Sequence, residues 1–570
     1  MKWPKHIARA LPFLQTILSP TPKLSILNLR LTPHIDPLGV SSIEVYLDWA
    51  TNTKANSTLF TTQQSVGAVP LNDWTDDVLF RDGYGELPLF PVDFTDASGV
   101  RREWRTDQDV LGEVLLIYTV RTRQADIYAR CGPLLDVQVE HDGLIGPGAG
   151  FIAIPAGTED LDIRLSWDLS FIPGSRAVSS YGEGDVRFVA PATRLAETVF
   201  AAGTLDSYEV PGDDFALFWV RAPPMNTTQL GQQLHKLRVG MVDFFGTPAQ
   251  KYSVFIRRSK HRCGSGTAFH NSFIFAYNAM PLPGGGSEVR ALEFLAHEMV
   301  HDFLRLQLQG TDVSMYPWFA WWPEGVAEYY SVRLLHTLGI TDQATYVSRV
   351  NAKMSAYYTS PAVQKLIVEL TYTFYTNQAS QRMFYSRGYM YFLLLSELVP
   401  KYTHGKFSLD DLLREMAQRR ASGADHEIYT WLDIVENAIG FKASNDLWNA
   451  LYRGKLLVPE EGTIGPRYHL RPVLQDQFDL GFPEDRLIPK GPNQTLGGLD
   501  PGSRAAIEGR LRQTDVLTLV STPLSLILDD VYREMEIVVL RDNEEVQIRY
   551  KPRSWSGVES WQFEAVDREE

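Results

Sequence analysis

His297-Glu298-Met299-Val300-His301 carries the clearest chemical content in this 570-residue sequence. Residues at i and i+4 lie on one face of a helix, one turn apart, so two imidazoles there can reach a single metal ion. Glu298 sits beside the first imidazole, where its carboxylate can take a proton from a water held by that metal. With 12 His and 69 acidic residues in the chain, chance yields about 0.03 such patterns with Asp or Glu in second place. A zinc site of this kind needs a third protein donor and one open position. Asp302 is about 100° round the helix from His301 and points elsewhere, and Asp312 falls in a polar loop. Glu324 lies in Trp321-Trp322-Pro323-Glu324-Gly325-Val326-Ala327-Glu328-Tyr329-Tyr330, where Pro323 suits the first turn of a second helix. Gly325 would let another helix approach closely. Two neutral imidazoles and one carboxylate leave Zn²⁺ at net +1, which favours ionisation of a bound water. The same donor set also suits iron; one zinc per chain is the expectation. Glu328, one turn on, either orients a ligand histidine or is an ordinary solvated acid.

The elements that must position these residues follow from pattern and punctuation. Before them, Ser287 is a candidate N-cap after the Gly284–Gly286 loop, and apolar spacing continues through Leu292, Leu295, Ala296, Met299, Phe303 and Leu306 towards Gly310. Upstream, Gln229–Phe245 has helical spacing, while Tyr252–Arg257 and Ala268–Tyr277 read as strands. Residues 22–225 read as an antiparallel, sandwich-like β domain, with strands at Lys23–Leu31, Ser42–Trp49, Leu111–Thr122, Leu161–Leu169 and Phe215–Arg221. Helical patterns dominate to about Leu457. From about Pro466 the chain is β-rich again, with a strand pair near Glu536–Leu540 and Glu545–Tyr550. The expectation is a multidomain α+β protein: 1–225 β-rich, 226–460 mostly helical with the metal site, and 461–570 a smaller β-rich module.

Composition sets the surroundings. The hydrophobic fraction of 44% and charged fraction of 22% exclude wholesale disorder. A net charge of −15 argues against nucleic-acid binding. No uninterrupted apolar stretch has the length of a membrane span. Cys131 and Cys263, the two cysteines, form no CxxC pair, which excludes a disulfide framework or a Cys-ligated zinc. Lys2, Lys5 and Arg9 precede a short run, Ala10–Leu18, that contains Pro12 and Gln15 and lacks a clean cleavage site. A cytoplasmic protein is expected, with secretion the lesser alternative.

The HExxH helix, followed about two dozen residues later by Glu324 in its Trp-x-x-Glu-Gly-x-x-x-Tyr-Tyr setting, resembles the gluzincin metallopeptidases. Among these the sequence is most similar to the glycyl aminopeptidase family. Arg164-Leu-Ser-Trp-Asp-Leu-Ser with Gly182-Glu-Gly resembles that family's N-terminal β domain. Leu499-Asp-Pro-Gly-Ser-Arg-Ala-Ala with Gly509-Arg-Leu-Arg-Gln-Thr-Asp-Val-Leu resembles its C-terminal PDZ domain. The resemblance implies a thermolysin-like zinc domain with His297, His301 and Glu324 as ligands and Glu298 as catalytic acid–base. It also implies an oxyanion-stabilising tyrosine in a Tyr-x-Lys-Gly setting, matched here by Tyr385-Ser386-Arg387-Gly388, with Arg keeping the positive charge. At the PDZ-like module, the Asp479-Leu480-Gly481-Phe482 loop either holds a peptide C-terminus by backbone N–H groups and β-augmentation, or belongs to a module that only packs on the catalytic domain.

One departure bears on specificity. Aminopeptidases of this kind grip the substrate amine with a glutamate in a Gly-x-x-Glu strand. In the corresponding segment, Gly264–Phe273, the glutamate position is Phe269, and no acidic residue lies between Asp243 and Glu288. Gly266, Phe269 and His270 are the substrate-binding candidates on that segment, with Asn271 beside them. The expected function is zinc-dependent hydrolysis of peptide or amide bonds. The alternatives are the same site turned to a non-peptide small molecule, or a PDZ scaffold whose metal is structural.

Overall fold

The computed structural model describes the chain except residues 1–23, 37–40, 67–68, 97–98, 124–133, 247–249, 260–264, 278–287, 304–315, 422–427, 488–493 and 567–570. The basic N-terminal run, both cysteines, Ser287, the Gly284–Gly286 loop, Leu306, Gly310 and Asp312 therefore lie outside the described residues, as does the Asp302 side chain.

Alternating side chains build the first β region. Ser42–Thr53 buries Ile43, Val45, Leu47 and Trp49 and turns the intervening residues outward. It lies within a six-stranded sheet ordered Val186–Pro191, Asp160–Trp167, Ile26–His34, Ser42–Thr53, Val110–Arg121, Asp73–Arg81. The expectation of a wholly antiparallel domain needs correction, because Ile26–His34 runs parallel to Asp160–Trp167, with Ile26 opposite Asp162. A parallel pair requires a long crossover, and alternation within a strand carries no information about the direction of its neighbour. Two five-stranded sheets complete the region.

A further five-stranded sheet introduces the helical part, ordered Asp206–Glu209, Phe215–Trp219, Tyr252–Arg258, Ser272–Tyr277, Ser265–Phe269. Its three central strands are parallel and the two edges antiparallel. Phe215–Trp219 and Ser272–Tyr277 are buried throughout, as expected for strands covered on both faces. One face (Leu217, Val254, Phe273, Phe275) joins the helical core, and the other (Phe218, Phe255, Ile274, Ala276) packs on Val178, Val199 and Ala201 of the β region. The single strand expected over Ala268–Tyr277 is in fact a hairpin. His270 and Asn271 form its turn, with Asn271 at φ 51°, a left-handed conformation that asparagine tolerates.

Five helices matter for the site: α1 (Thr227–Phe245), α2 (Glu288–Phe303), α3 (Trp321–Thr337), α4 (Gln343–Tyr358) and α5 (Gln378–Tyr402). The Asn226 side chain caps α1 by accepting from the Gln229 N–H. α3 is apolar on nearly every side and runs through the middle of the core, with Trp321 against Tyr391 and Trp448, and Trp322 against Trp431. Among the described residues, no helix is long and apolar enough to cross a membrane.

The C-terminal region divides differently from the sequence expectation. A ribbon of Tyr468–Phe478 and Arg553–Ala565 packs onto the helices: Phe563 belongs to their core, and its N–H and C=O both bond the Asn351 side chain on α4. The remainder has its own core, including Leu480, Phe482, Ile527, Met535, Ile537, Val539 and Tyr550. It contains a three-stranded sheet (Val516–Val520, Met535–Arg541, Glu544–Tyr550) and two short helices, Arg504–Ile507 and α6 (Leu524–Asp529).

Candidate active site

His297 and His301 project from one face of α2 towards the first turn of α3, where Glu324 stands. His297 Nε2 is 3.1 Å from Glu324 Oε2, His301 Nε2 is 3.2 Å from the same oxygen, and the two Nε2 atoms are 3.0 Å apart. Donors 2.0–2.1 Å from a tetrahedral zinc ion would be separated by about 3.3 Å. A carboxylate oxygen offers only lone pairs, and two facing imidazole nitrogens bring at most a proton each. Three such atoms converging in a buried pocket fit a shared cation. Among the described residues this is the one group of three acidic, His or Cys side chains with that convergence.

The site's charges reinforce one another. Burial alone would raise the Glu324 pKa, but His301 and His297 hold it well below the usual carboxylate range. Burial works against protonation of His301, and Glu324 more than offsets it. Glu298, 8% exposed, is raised chiefly by burial, against the pull of both histidines and an N–H donated by Ala268. The Tyr385 hydroxyl is pushed far above its ordinary value by burial first and by Glu324 next. Its ring lies 6.0 Å from that of His297 and nearly parallel to it, at 15°.

Two glycines bring Tyr385 there. A Cβ on Gly325 would lie 2.5 Å from Gly388 Cα, and one on Gly388 would lie 2.2 Å from the Trp321 carbonyl oxygen. The close approach that Gly325 permits is therefore to α5, with Tyr385 one turn before Gly388. Tyr385 sits about two turns inside α5. Arg387, expected to keep a positive charge at the site, instead donates to the carbonyls of Leu451, Val363 and Lys365 at 2.8–3.0 Å. Burial lowers its pKa to about 10.

A buried ionic chain supports the histidines, and sequence reasoning missed most of it. His297 Nδ1 is 3.6 Å from Glu328 Oε1. Glu328 is 6% exposed, so the solvated alternative does not hold for it. It pairs with Lys353 of α4 and lies 3.8 Å from Arg382 of α5. Lys353 also pairs with Glu293 of α2 at 2.7 Å, and Arg349 pairs with Glu293 at 2.6 Å. Glu293 was discoverable: it precedes His297 by four residues and so shares the motif's buried face.

The edge strand Ser265–Phe269 runs beside Glu298. A Cβ on Gly266 would lie 2.9 Å from Glu298 Oε1 and 2.7 Å from the Phe294 ring, so any side chain there would push those two groups aside. Gly266 and Ala268 face α2, whereas the Thr267 hydroxyl accepts from the Leu134 N–H on the opposite side. Phe269 also turns away from α2, into the apolar layer with Phe255 and Ile274, because side chains alternate along a strand. His270 lies at the hairpin turn, its N–H donating to the Glu197 carbonyl at 3.3 Å and its ring 6.2 Å from Tyr181 of the β region.

No protein-family model and no curated protein sequence matches this chain. Solved structures do resemble it. An aminopeptidase N family protein from Idiomarina loihiensis superimposes with a TM-score of 0.63 at 14% identity, over 95% of this chain and 98% of that one. An M1 zinc metallopeptidase from Deinococcus radiodurans gives 0.49 at 14% identity, covering 76% and 95%. Yeast LTA4 hydrolase gives 0.47 at 13% identity, covering 77% and 69%. The first likeness, over nearly the full length of both chains, establishes a shared fold.

Proposed function

We propose that this protein is a zinc-dependent hydrolase of peptide or amide bonds, with His297, His301 and Glu324 holding the metal. The observation that carries this reading is the convergence of those three donor atoms, 3.0–3.2 Å apart, beside buried Glu298 and half-buried Tyr385. Zinc, when bound, supplies Lewis acidity to a carbonyl oxygen and makes a water more acidic. Glu298 is the proton carrier. Its buried carboxylate binds a proton more readily than an exposed one, so it can take one from the attacking water and release it to the departing amine. The Tyr385 hydroxyl keeps its proton and donates a hydrogen bond to the oxygen that gains charge in the transition state. Glu328 fixes the His297 ring from behind, itself anchored by Lys353 and Arg382.

The substrate side favours a second reading within the same chemistry. Gly266 and Ala268 present no carboxylate towards Glu298, and Phe269, which the sequence register aligns with an amine-gripping glutamate, packs in the apolar layer away from α2. The substrate accordingly needs no free α-amine: an N-blocked or internal peptide bond, or a non-peptide electrophile, would suit the site. In this reading Gly266 brings substrate backbone close to Glu298, and His270 lies further out. The module after about residue 478 is proposed as the PDZ-like unit, although Asp479 already accepts the Gly481 N–H at 2.9 Å. A peptide C-terminus there would have to displace that bond.

Hydrolysis of matched free and N-acetylated aminoacyl-amides tests the substrate assignment. Equal kcat/KM for the two sets supports a site without an amine anchor. A preference for the free amine of a hundredfold or more, about 3 kcal/mol, would contradict it.

A further inference from the structure

An ion pair links the C-terminal module to the site. Asp529, the last residue of α6, accepts from both Nε and Nη2 of Arg382 on α5, the former at 3.1 Å. The Arg382 guanidinium lies over the Tyr385 ring, 4.7 Å from its centroid, and 3.8 Å from Glu328 Oε1. It is thus held between a carboxylate that supports His297 and a carboxylate that belongs to the module. The same module grips the start of α5. Glu484 accepts from the Gln378 N–H at 2.6 Å and the Asn377 side chain at 2.8 Å, and Ala379 is buried in the module's own core. Tyr385 lies two turns along that helix, beyond both attachments. A second contact, Asp530 with Arg290 of α2 at 2.9 Å, ties the module to the catalytic region without touching Arg382.

We propose that Asp529 is a positioning residue for the reaction: it fixes Arg382 and, through the guanidinium, the placement of the Tyr385 ring. The C-terminal module is then part of the active site's support. This rests on the role given to Tyr385 above. A cation held face-on to an aromatic ring restrains it both electrostatically and sterically. Loss of the carboxylate would free the guanidinium to swing towards Glu328, taking away one wall of the tyrosine's seat. A shift of about 1 Å in a hydrogen-bond donor that acts only in the transition state costs turnover rather than binding.

The test compares full-length wild type with Asp529→Ala, Asp529→Asn and Asp529→Glu, with Asp530→Ala as the docking control. Expected for Asp529→Ala and Asp529→Asn are unchanged zinc content, a fall in kcat of about tenfold and a KM within about twofold. Asp529→Glu should recover most of kcat, and Asp530→Ala should stay within about twofold of wild type. Crystal structures of wild type and Asp529→Asn supply a readout that does not depend on turnover, with the Tyr385 ring displaced in the variant. Wild-type kcat in Asp529→Asn, an equal loss in Asp530→Ala, or an unmoved ring would overturn the proposal. If wild type hydrolyses no amide, the hydrolase reading fails on that result, and ring displacement alone decides the positioning role.

Discussion

Gly325 and Gly388 bring α3 and α5 into backbone contact, and that contact fixes the distance between Glu324 and Tyr385. Each glycine occupies space that a methyl group on the other helix would need, with backbone atoms at 2.2–2.6 Å from the would-be Cβ. The residue next to Glu324 and the residue one turn from the phenol thus form a single packing unit.

Gly388→Ala should force the helices apart. Overpacking of this kind costs about 1–3 kcal/mol. Because α3 carries Glu324 and α5 carries Tyr385, the variant should lose activity beyond its loss of stability. Thermal unfolding and kcat, measured together at a temperature where the variant is folded, check this. An unchanged melting temperature would mean that the helices have room.

Tyr385→Phe removes only the hydroxyl. The ring's contacts with His297 and Arg382 remain, so stability and zinc content should hold. Loss of one oxyanion donor predicts a fall in kcat of about a hundredfold or more with little change in KM. Steady-state kinetics decide the matter, and a rise in KM alone would assign the tyrosine to substrate binding.

Glu293 ties acid stability to the site's support. Burial opposes its ionisation, yet Arg349 and Lys353 hold its carboxyl far below the usual range. A depressed folded-state pKa contributes stability that is complete above the unfolded value near 4.3 and fades as pH falls towards the folded one. Glu293→Gln should therefore be less stable by about 3 kcal/mol near neutral pH, with the gap to wild type narrowing below about pH 4. Denaturant unfolding across that range measures it. A gap that widens in acid would reverse the assigned sign.

The convergence of His297, His301 and Glu324 was legible because its information is local: i, i+4 spacing on one helix and a proline-led start for the next. Its support was not. Lys353, Arg349, Arg382 and Asp529 come from three further helices, and nothing in their own neighbourhoods marks them as members of one buried ionic chain. Arg387 misled because a basic residue beside a functional tyrosine reads as a charge for the site, whereas its side chain meets three carbonyl groups on the far side of α5. The Ala268–Tyr277 run concealed a turn, since His270-Asn271 lacks the glycine that usually marks one. Parallel pairing of Ile26–His34 with Asp160–Trp167 depends on the path of the whole intervening chain.

Metal analysis beside turnover shows whether a zinc centre hydrolyses with Glu298 as its proton carrier. Zinc content and amide hydrolysis would be measured in wild type, Glu298→Gln and Glu324→Ala. Expected are about one zinc per chain in wild type and Glu298→Gln, little in Glu324→Ala, and hydrolysis in wild type alone. Full turnover by Glu298→Gln, or stoichiometric zinc in Glu324→Ala, would contradict this assignment.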